Sequence, residues 1–274
     1  MHTSSIKRKV MRGFDRSARG YRFHARFQEE IAWETAAIAL RHARPGGRIL
    51  DVGCGDGALL AAIIDQHHST GGSALRHFAV DVSAGMCAVA RARLAPMGAA
   101  VIRADAESLP LSSSSVEMIV SSLALQWVED IDAALMEAAR ALSPGGVLVA
   151  ATLGPATFPE LRHSARKALR GAGAGRDTAG AFPSMEEMER SLACAGFDYK
   201  ISRSLRARYY GNFHDFLRSL KNVGAMGQPW LAGAGLARRG FLKSLEREYE
   251  NEFRADEGLR ATYEALFITA FLKG

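Results

Sequence analysis

The stretch ILDVGCGDGALL, residues 49–60, constrains the fold more than any other part of the sequence. A short apolar run closes on an acid, three alternate glycines follow, and apolar residues resume. That pattern spells strand, tight turn and helix start. Glycines at such a turn let a ligand approach the backbone and the helix N-terminus. Read alone, with Ala58 as the last small residue, the stretch also fits the G-x-G-x-x-A dinucleotide fingerprint. The cofactor therefore has to be read from the rest of the chain.

Further strand and helix units follow in order. HFAVDV ends at Asp81, and Ser83 is placed to cap the helix AGMCAVARARLAPMG. AAVIRADA carries Asp105, and VEMIVSSLAL leads into the amphipathic QWVEDIDAALMEAARAL. Pro144-Gly145-Gly146 predicts a turn into VLVAATL. Alternation with short turns implies an α/β fold with a Rossmann-like, doubly wound sheet, seven-stranded and mostly parallel. A helix is expected over about 5–43, broken by Pro45-Gly46-Gly47. Residues 1–44 are read as a helical lid segment, and 45–274 as the main domain. A Gly/Ala-rich stretch, Gly171 to Gly180, is read as flexible, and PSMEEMERSLACAGF as a helix capped by Ser184. The last two strands, DYKISRSLRARYY and ATYEALFITAFL, bracket a helical insertion at about 211–258.

Composition narrows the classes of function. Lys and Arg outnumber Asp and Glu by 35 to 29, which favours an acidic partner without identifying it. No apolar run reaches the roughly 18 residues of a membrane span, and the basic N-terminus lacks the apolar core of a secretory signal. A cytoplasmic location with no membrane partner is expected. Cys54, Cys87 and Cys194 fit neither a disulfide framework nor a zinc spacing, so no metal is expected.

In a doubly wound sheet, ligands sit outside the carboxyl ends of the strands. Gly53, Gly55 and Gly57 follow the first strand, and Asp81 ends the second, suited to accept two ribose hydroxyl hydrogen bonds. Asp105 and Ala106 end the third, placed to meet an adenine edge, and Ser121, Ser122 and Leu123 end the fourth, near the reacting end of a ligand. With AVDVSAGM, RADAESLPLSSSSVEMIVSSLALQWVED and ARALSPGGVL, this constellation resembles the class I S-adenosylmethionine-dependent methyltransferases over about residues 45–155. The resemblance implies S-adenosyl-L-methionine as cofactor and S-adenosyl-L-homocysteine as product. It implies Asp51 near the methionine ammonium, and adds Val82 and Met86 to the cofactor-binding set, Met86 as apolar packing.

The flanks carry the acceptor. FDRSARGYRFHARFQEEIA, SSLALQWVEDIDAAL, ATLGPATFPELRHS, FLRSLKNVGAMG and LRATYEALFITAF resemble the malonyl-[acyl-carrier protein] O-methyltransferases of biotin synthesis, the BioC type. One departure is Met226-Gly227, where Asn usually follows soon after the preceding Gly-Ala. The resemblance implies methylation of the free carboxylate of a malonyl thioester, with Tyr21 as an active-site lid and Arg162 as a carboxylate clamp. It implies an acidic acyl-carrier protein bearing malonyl-phosphopantetheine as partner. Arg203, Arg206, Arg208, Arg218, Lys221, Arg238 and Arg239 would offer a docking face. His24 and His163 read as surface or packing residues. Nucleic acid is not expected, since SSLALQW lacks the Asn/Asp-Pro-Pro-aromatic motif of base N-methylation. A monomer or weak oligomer is expected. The alternatives are a related enzyme modifying a protein arginine, of the complex I assembly factor type, a quinone-type small-molecule methyltransferase, and a cofactor-binding protein without turnover.

Overall fold

The structure, a computed structural model, describes residues 5–69, 75–170, 182–222 and 239–273. Gly171 to Gly180, Met226-Gly227 and Arg238 lie outside the described residues.

Five strands come first: β1 Arg48–Val52, β2 Arg76–Asp81, β3 Ala100–Arg103, β4 Val116–Ser122 and β5 Leu142–Leu153. They pair in parallel in the order β3-β2-β1-β4-β5. Then β8 (Gly258–Leu272) pairs antiparallel between β5 and β6 (Phe197–Tyr210), and the two-residue β7 (Arg254–Ala255) adds to β8. This is the expected doubly wound, mostly parallel sheet, with β7 as a small addition.

Alternate side chains explain how it is covered. Ile49, Met118, Val120, Val147 and Val149 enter one core with α3 (Arg26–Leu40), α4 (Ala58–Ser69) and α5 (Ala84–Leu94). Their neighbours Leu50, Ile119, Leu148 and Ala150 enter the opposite core with α6 (Ile131–Ala141) and α8 (Met185–Cys194). A third core joins α7 (Pro159–Arg170), α9 (Phe213–Asn222), α10 (Arg239–Phe253) and one end of β8 through Leu161, Phe216, Tyr249 and Tyr263.

Two local expectations are corrected. The N-terminal helix is not continuous. It divides into α1 (Ser5–Ser17), a 3-10 turn at Ala18–Gly20, α2 (Tyr21–His24) and α3, with a break at Ala25. The breaks let α1 lie against α5 at the strand ends while α3 packs along α4. LSPGG is not a separate turn either. The chain is already extended at Leu142, and β5 absorbs the glycines through a register shift between Val116 and Met118 of β4. Gly145, at φ 69°, supplies the conformation that shift needs.

The sheet order reverses between β1 and its neighbours β2 and β4, which opens a crevice over the carboxyl end of β1. The N-terminal helices roof that crevice.

Candidate active site

Two cavities lie side by side at this end of the sheet. The first is lined by Asp51, Gly53, Gly55, Asp81, Val82, Met86, Asp105, Ala106, Ser122, Leu123 and, from the N-terminal helices, Tyr21. This cavity thus brings together eleven of the fourteen residues singled out from sequence.

Gly53 makes the turn. Its N–H and that of Cys54 donate to the Val80 carbonyl, at 2.8 and 3.0 Å. Its φ is 73°, and a Cβ there would sit 2.3 Å from that of Ala124. Gly57 stands outside the cavity, where a Cβ would press on Leu94 at 2.8 Å. Its role is to let α4 start close to α5.

The carboxylate of Asp81 is aimed by backbone. Oδ2 accepts from Gly55 N–H at 2.9 Å and Oδ1 from Ser83 N–H at 2.8 Å. Burial pushes its carboxyl up to about 6; the two N–H bonds oppose that rise and the nearby Asp15 charge adds to it. Each oxygen keeps a lone pair for a donor in the cavity.

Asp51 is fully buried, and neither of its oxygens has a hydrogen-bond partner among the described residues. Burial holds its carboxyl well above the ordinary range, and the Asp81 and Asp56 charges add to this. An unanswered carboxylate in a cavity wall fits a cationic group there. With the paired acceptor oxygens of Asp81, this set of acceptors fits a nucleoside that carries an amino-acid ammonium, such as S-adenosylmethionine.

Asp105 is already engaged. Oδ2 meets Lys7 Nζ at 2.5 Å and Oδ1 accepts from Glu107 N–H at 3.1 Å. Lys7 also reaches Glu107 at 3.0 Å. From the same helix, Asp15 Oδ1 accepts from Ser83 Oγ at 2.6 Å and from Gly85 N–H at 2.9 Å. Ser83 in turn caps α5 by accepting from Met86 N–H. The α1 helix is therefore tied down at both edges of the cavity, and Phe14 packs edge-on against Trp127 at 5.3 Å.

Ser121 does not face the cavity. It is buried and donates to the Val52 carbonyl at 2.8 Å, a tie between β4 and β1. Leu123, at φ 52°, turns the chain out of β4 and touches both cavities.

The second cavity shares Phe14, Tyr21, Gln28, Leu123 and Trp127 with the first. It extends between β6, β8 and the helices, past Phe158 and Phe182, with Arg26, Arg208, Tyr210 and Tyr263 among its polar residues. His24, read from sequence as surface or packing, also lines it. Gln126 is fixed there by donating to the Leu123 carbonyl and accepting from Thr152 Oγ1, both at 2.9 Å. The Tyr21 phenol, held well above its usual range by burial and then by Asp56 and Asp81, stays protonated. Arg162 is not brought to either cavity. It lies on α7 and donates to the Thr157 carbonyl at 2.5 Å. Lys7, Asp15 and, apart from Tyr21, the wall of the second cavity went unread in the sequence. Of these only Asp15 carried a signal, as the acid of the FDRSARGY segment.

The docking-face arginines are largely answered within the chain. Arg206 pairs with Glu34, Arg208 with Glu30, Arg203 with Glu264 and Arg218 with Asp215. No helix among the described residues is long and apolar enough to cross a membrane, and no group of His, Cys, Asp or Glu among them could hold a metal ion.

Comparison with known proteins bears on this geometry. The family described as Methyltransferase domain matches residues 50–150. The malonyl-[acyl-carrier protein] O-methyltransferase of Geobacter sulfurreducens is 33% identical over 264 residues, covering 95% of this chain and 97% of that protein. The enzyme of the same name from Laribacter hongkongensis is 34% identical over 279 residues, covering 95% and 88%. Among solved structures, the YcgJ protein of Bacillus subtilis superposes with a TM-score of 0.58 at 17% identity, covering 88% of this chain and 99% of that one. At that identity the likeness speaks for the fold.

Proposed function

The chain belongs to the malonyl-[acyl-carrier protein] O-methyltransferases, and from that premise we propose how its two cavities divide the work. The protein transfers a methyl group from S-adenosylmethionine to the free carboxylate of a malonyl thioester on acyl-carrier protein, giving the malonyl methyl ester that starts biotin synthesis. The observation that carries this division is the shared wall, Phe14, Tyr21, Gln28, Leu123 and Trp127, through which the two cavities meet.

The strand-end cavity holds the cofactor. Asp81 accepts the ribose hydroxyls, supported by the backbone N–H groups that aim both its oxygens. Asp51 faces the methionine ammonium, supported by its unanswered buried carboxylate. Asp105 with Ala106 meets the adenine edge, and Val82 and Met86 pack around it. Gly53 and Gly55 leave room for the ligand against the backbone, while Gly57 sets the packing of α4. Ser122 and Leu123 border the reacting end, and Ser121 acts behind them by tying β4 to β1. When bound, S-adenosylmethionine supplies an electrophilic methyl group on its sulfonium.

The second cavity holds the acceptor. A malonyl carboxylate is ionised at neutral pH, so the chain needs no general base. Its residues must instead orient one oxygen for in-line attack and keep water away. Tyr21, protonated and shared by both cavities, closes the meeting point. Arg162 carries no part in that closure, since its guanidinium turns to Thr157. The partner is an acidic carrier protein, a reading supported by the excess of basic residues.

Methyl transfer from labelled S-adenosylmethionine tests the reading. Malonyl-carrier protein should accept label and acetyl-carrier protein should not. Equal labelling of the two, or of neither, would sink the carboxylate acceptor.

A further inference from the structure

The acceptor cavity mixes apolar and polar walls, and two of its polar residues meet directly. The hydroxyls of Tyr210, at the end of β6, and Tyr263, in β8, lie 2.8 Å apart. A single hydrogen bond between two hydroxyls uses one of their two hydrogens. The other O–H has no acceptor among the described residues, although both side chains line the cavity. That hydrogen is available to an acceptor that enters the cavity.

The pair is held rigidly. Tyr263 is 5% exposed, and its ring packs on Phe27 at 4.2 Å and on Phe158 at 4.6 Å. On Phe27 also rests Arg208, its guanidinium 5.7 Å from the ring centre. Glu30 engages Nη2 of Arg208, and both residues line the same cavity. Burial, followed by the neighbouring Tyr210, holds the Tyr263 phenol well above its usual range, so it remains a donor at neutral pH.

We propose that the Tyr210–Tyr263 hydroxyl pair, backed by Arg208, is the element that recognises the acceptor's free carboxylate and selects malonyl over uncharged acyl groups. This deepens the malonyl-acceptor reading and rests on it. One tyrosine donates to the other, and the second donates to a carboxylate oxygen, each bond polarising the next. The carboxylate's other oxygen stays open for attack. An acetyl group leaves the spare hydrogen unanswered, and sites built to bond a polar group reject analogues that lack it. Arg208, its charge paired with Glu30 on the same wall, holds that wall beside the two hydroxyls.

Tyr210→Phe and Tyr263→Phe keep both rings and remove one hydroxyl each. Affinities for malonyl- and acetyl-carrier protein are measured for wild type and both variants, together with S-adenosylhomocysteine affinity. The preference for malonyl should fall by about 10-fold or more in each variant. Acetyl-carrier and S-adenosylhomocysteine affinities should stay within about 2-fold of wild type. An unchanged preference overturns the inference. So does equal weakening of both carriers, which would mean that the pair holds the thioester they share, and so does a parallel loss of S-adenosylhomocysteine binding, which would mean a structural role. Wild-type transfer to malonyl-carrier protein is followed alongside. Its absence overturns the acceptor reading as well, whereas intact transfer with an unmoved preference overturns this inference alone.

Discussion

Asp81 carries two opposed demands, and its titration exposes both. Burial pushes its carboxyl up to about 6, from an ordinary value of 3.8. Between those values the native state without ligand binds more protons than the unfolded chain, so its stability falls as pH rises through that window. Ribose hydroxyls donate best to the ionised form, so a bound cofactor should repair that loss. We therefore expect S-adenosylhomocysteine to raise the melting temperature more at pH 7.5 than at pH 5, with titration calorimetry showing affinity lost below about pH 6. Asp81→Ala should weaken binding by about 10- to 100-fold with the fold retained. Unchanged affinity in that variant would remove the ribose assignment. The acids at strand ends were legible in sequence because a strand's end fixes where its last side chain stands. Ser121 and Ser122 were not separable that way. Neighbours on a strand point to opposite faces, and only the structure turns Ser121 to Val52 and Ser122 to the cavity.

At the scale of elements, β1, β2, β4 and β5 were readable because buried parallel strands leave continuous apolar runs bounded by turns. The breaks in the N-terminal helix were not, because tertiary packing against α5 and α4 imposes them and no proline marks the place. Two predictions belong here. Gly53→Ala places a Cβ against Ala124 in a backbone conformation of φ 73°, so urea unfolding should show a loss of at least about 2 kcal/mol. A loss below about 0.5 kcal/mol would show that the turn relaxes freely. Asp15→Ala removes the acceptor of Ser83 Oγ and Gly85 N–H and unties one edge of α1. It should lower stability by about 1–2 kcal/mol and weaken S-adenosylhomocysteine binding several-fold. If affinity stays level while stability falls, α1 is a roof that the cofactor does not need.

Across the whole molecule, the acceptor cavity was legible in sequence only at Tyr21, because its wall is assembled from distant pieces. Phe14 and Tyr21 come from the first helices, Leu123 and Trp127 follow β4, and Tyr210 and Tyr263 are 53 residues apart. That assembly has a consequence for the order of binding. The N-terminal helices roof the cofactor cavity, tied by Lys7 to Asp105 and by Asp15 to Ser83, and their Phe14, Tyr21 and Gln28 also form the acceptor wall. A carrier's arm seated against those residues pins the roof shut. The cofactor should then bind first and its product leave last. Ordering the roof from below also prepares the wall above, so the two ligands should favour one another by the same factor in either direction. We expect S-adenosylhomocysteine to tighten malonyl-carrier binding by at least about 5-fold, and the carrier to slow S-adenosylhomocysteine release. In product inhibition, S-adenosylhomocysteine should compete with S-adenosylmethionine but not with the carrier. Carrier affinity that is the same with and without S-adenosylhomocysteine would mean that the roof is rigid and the two cavities fill independently.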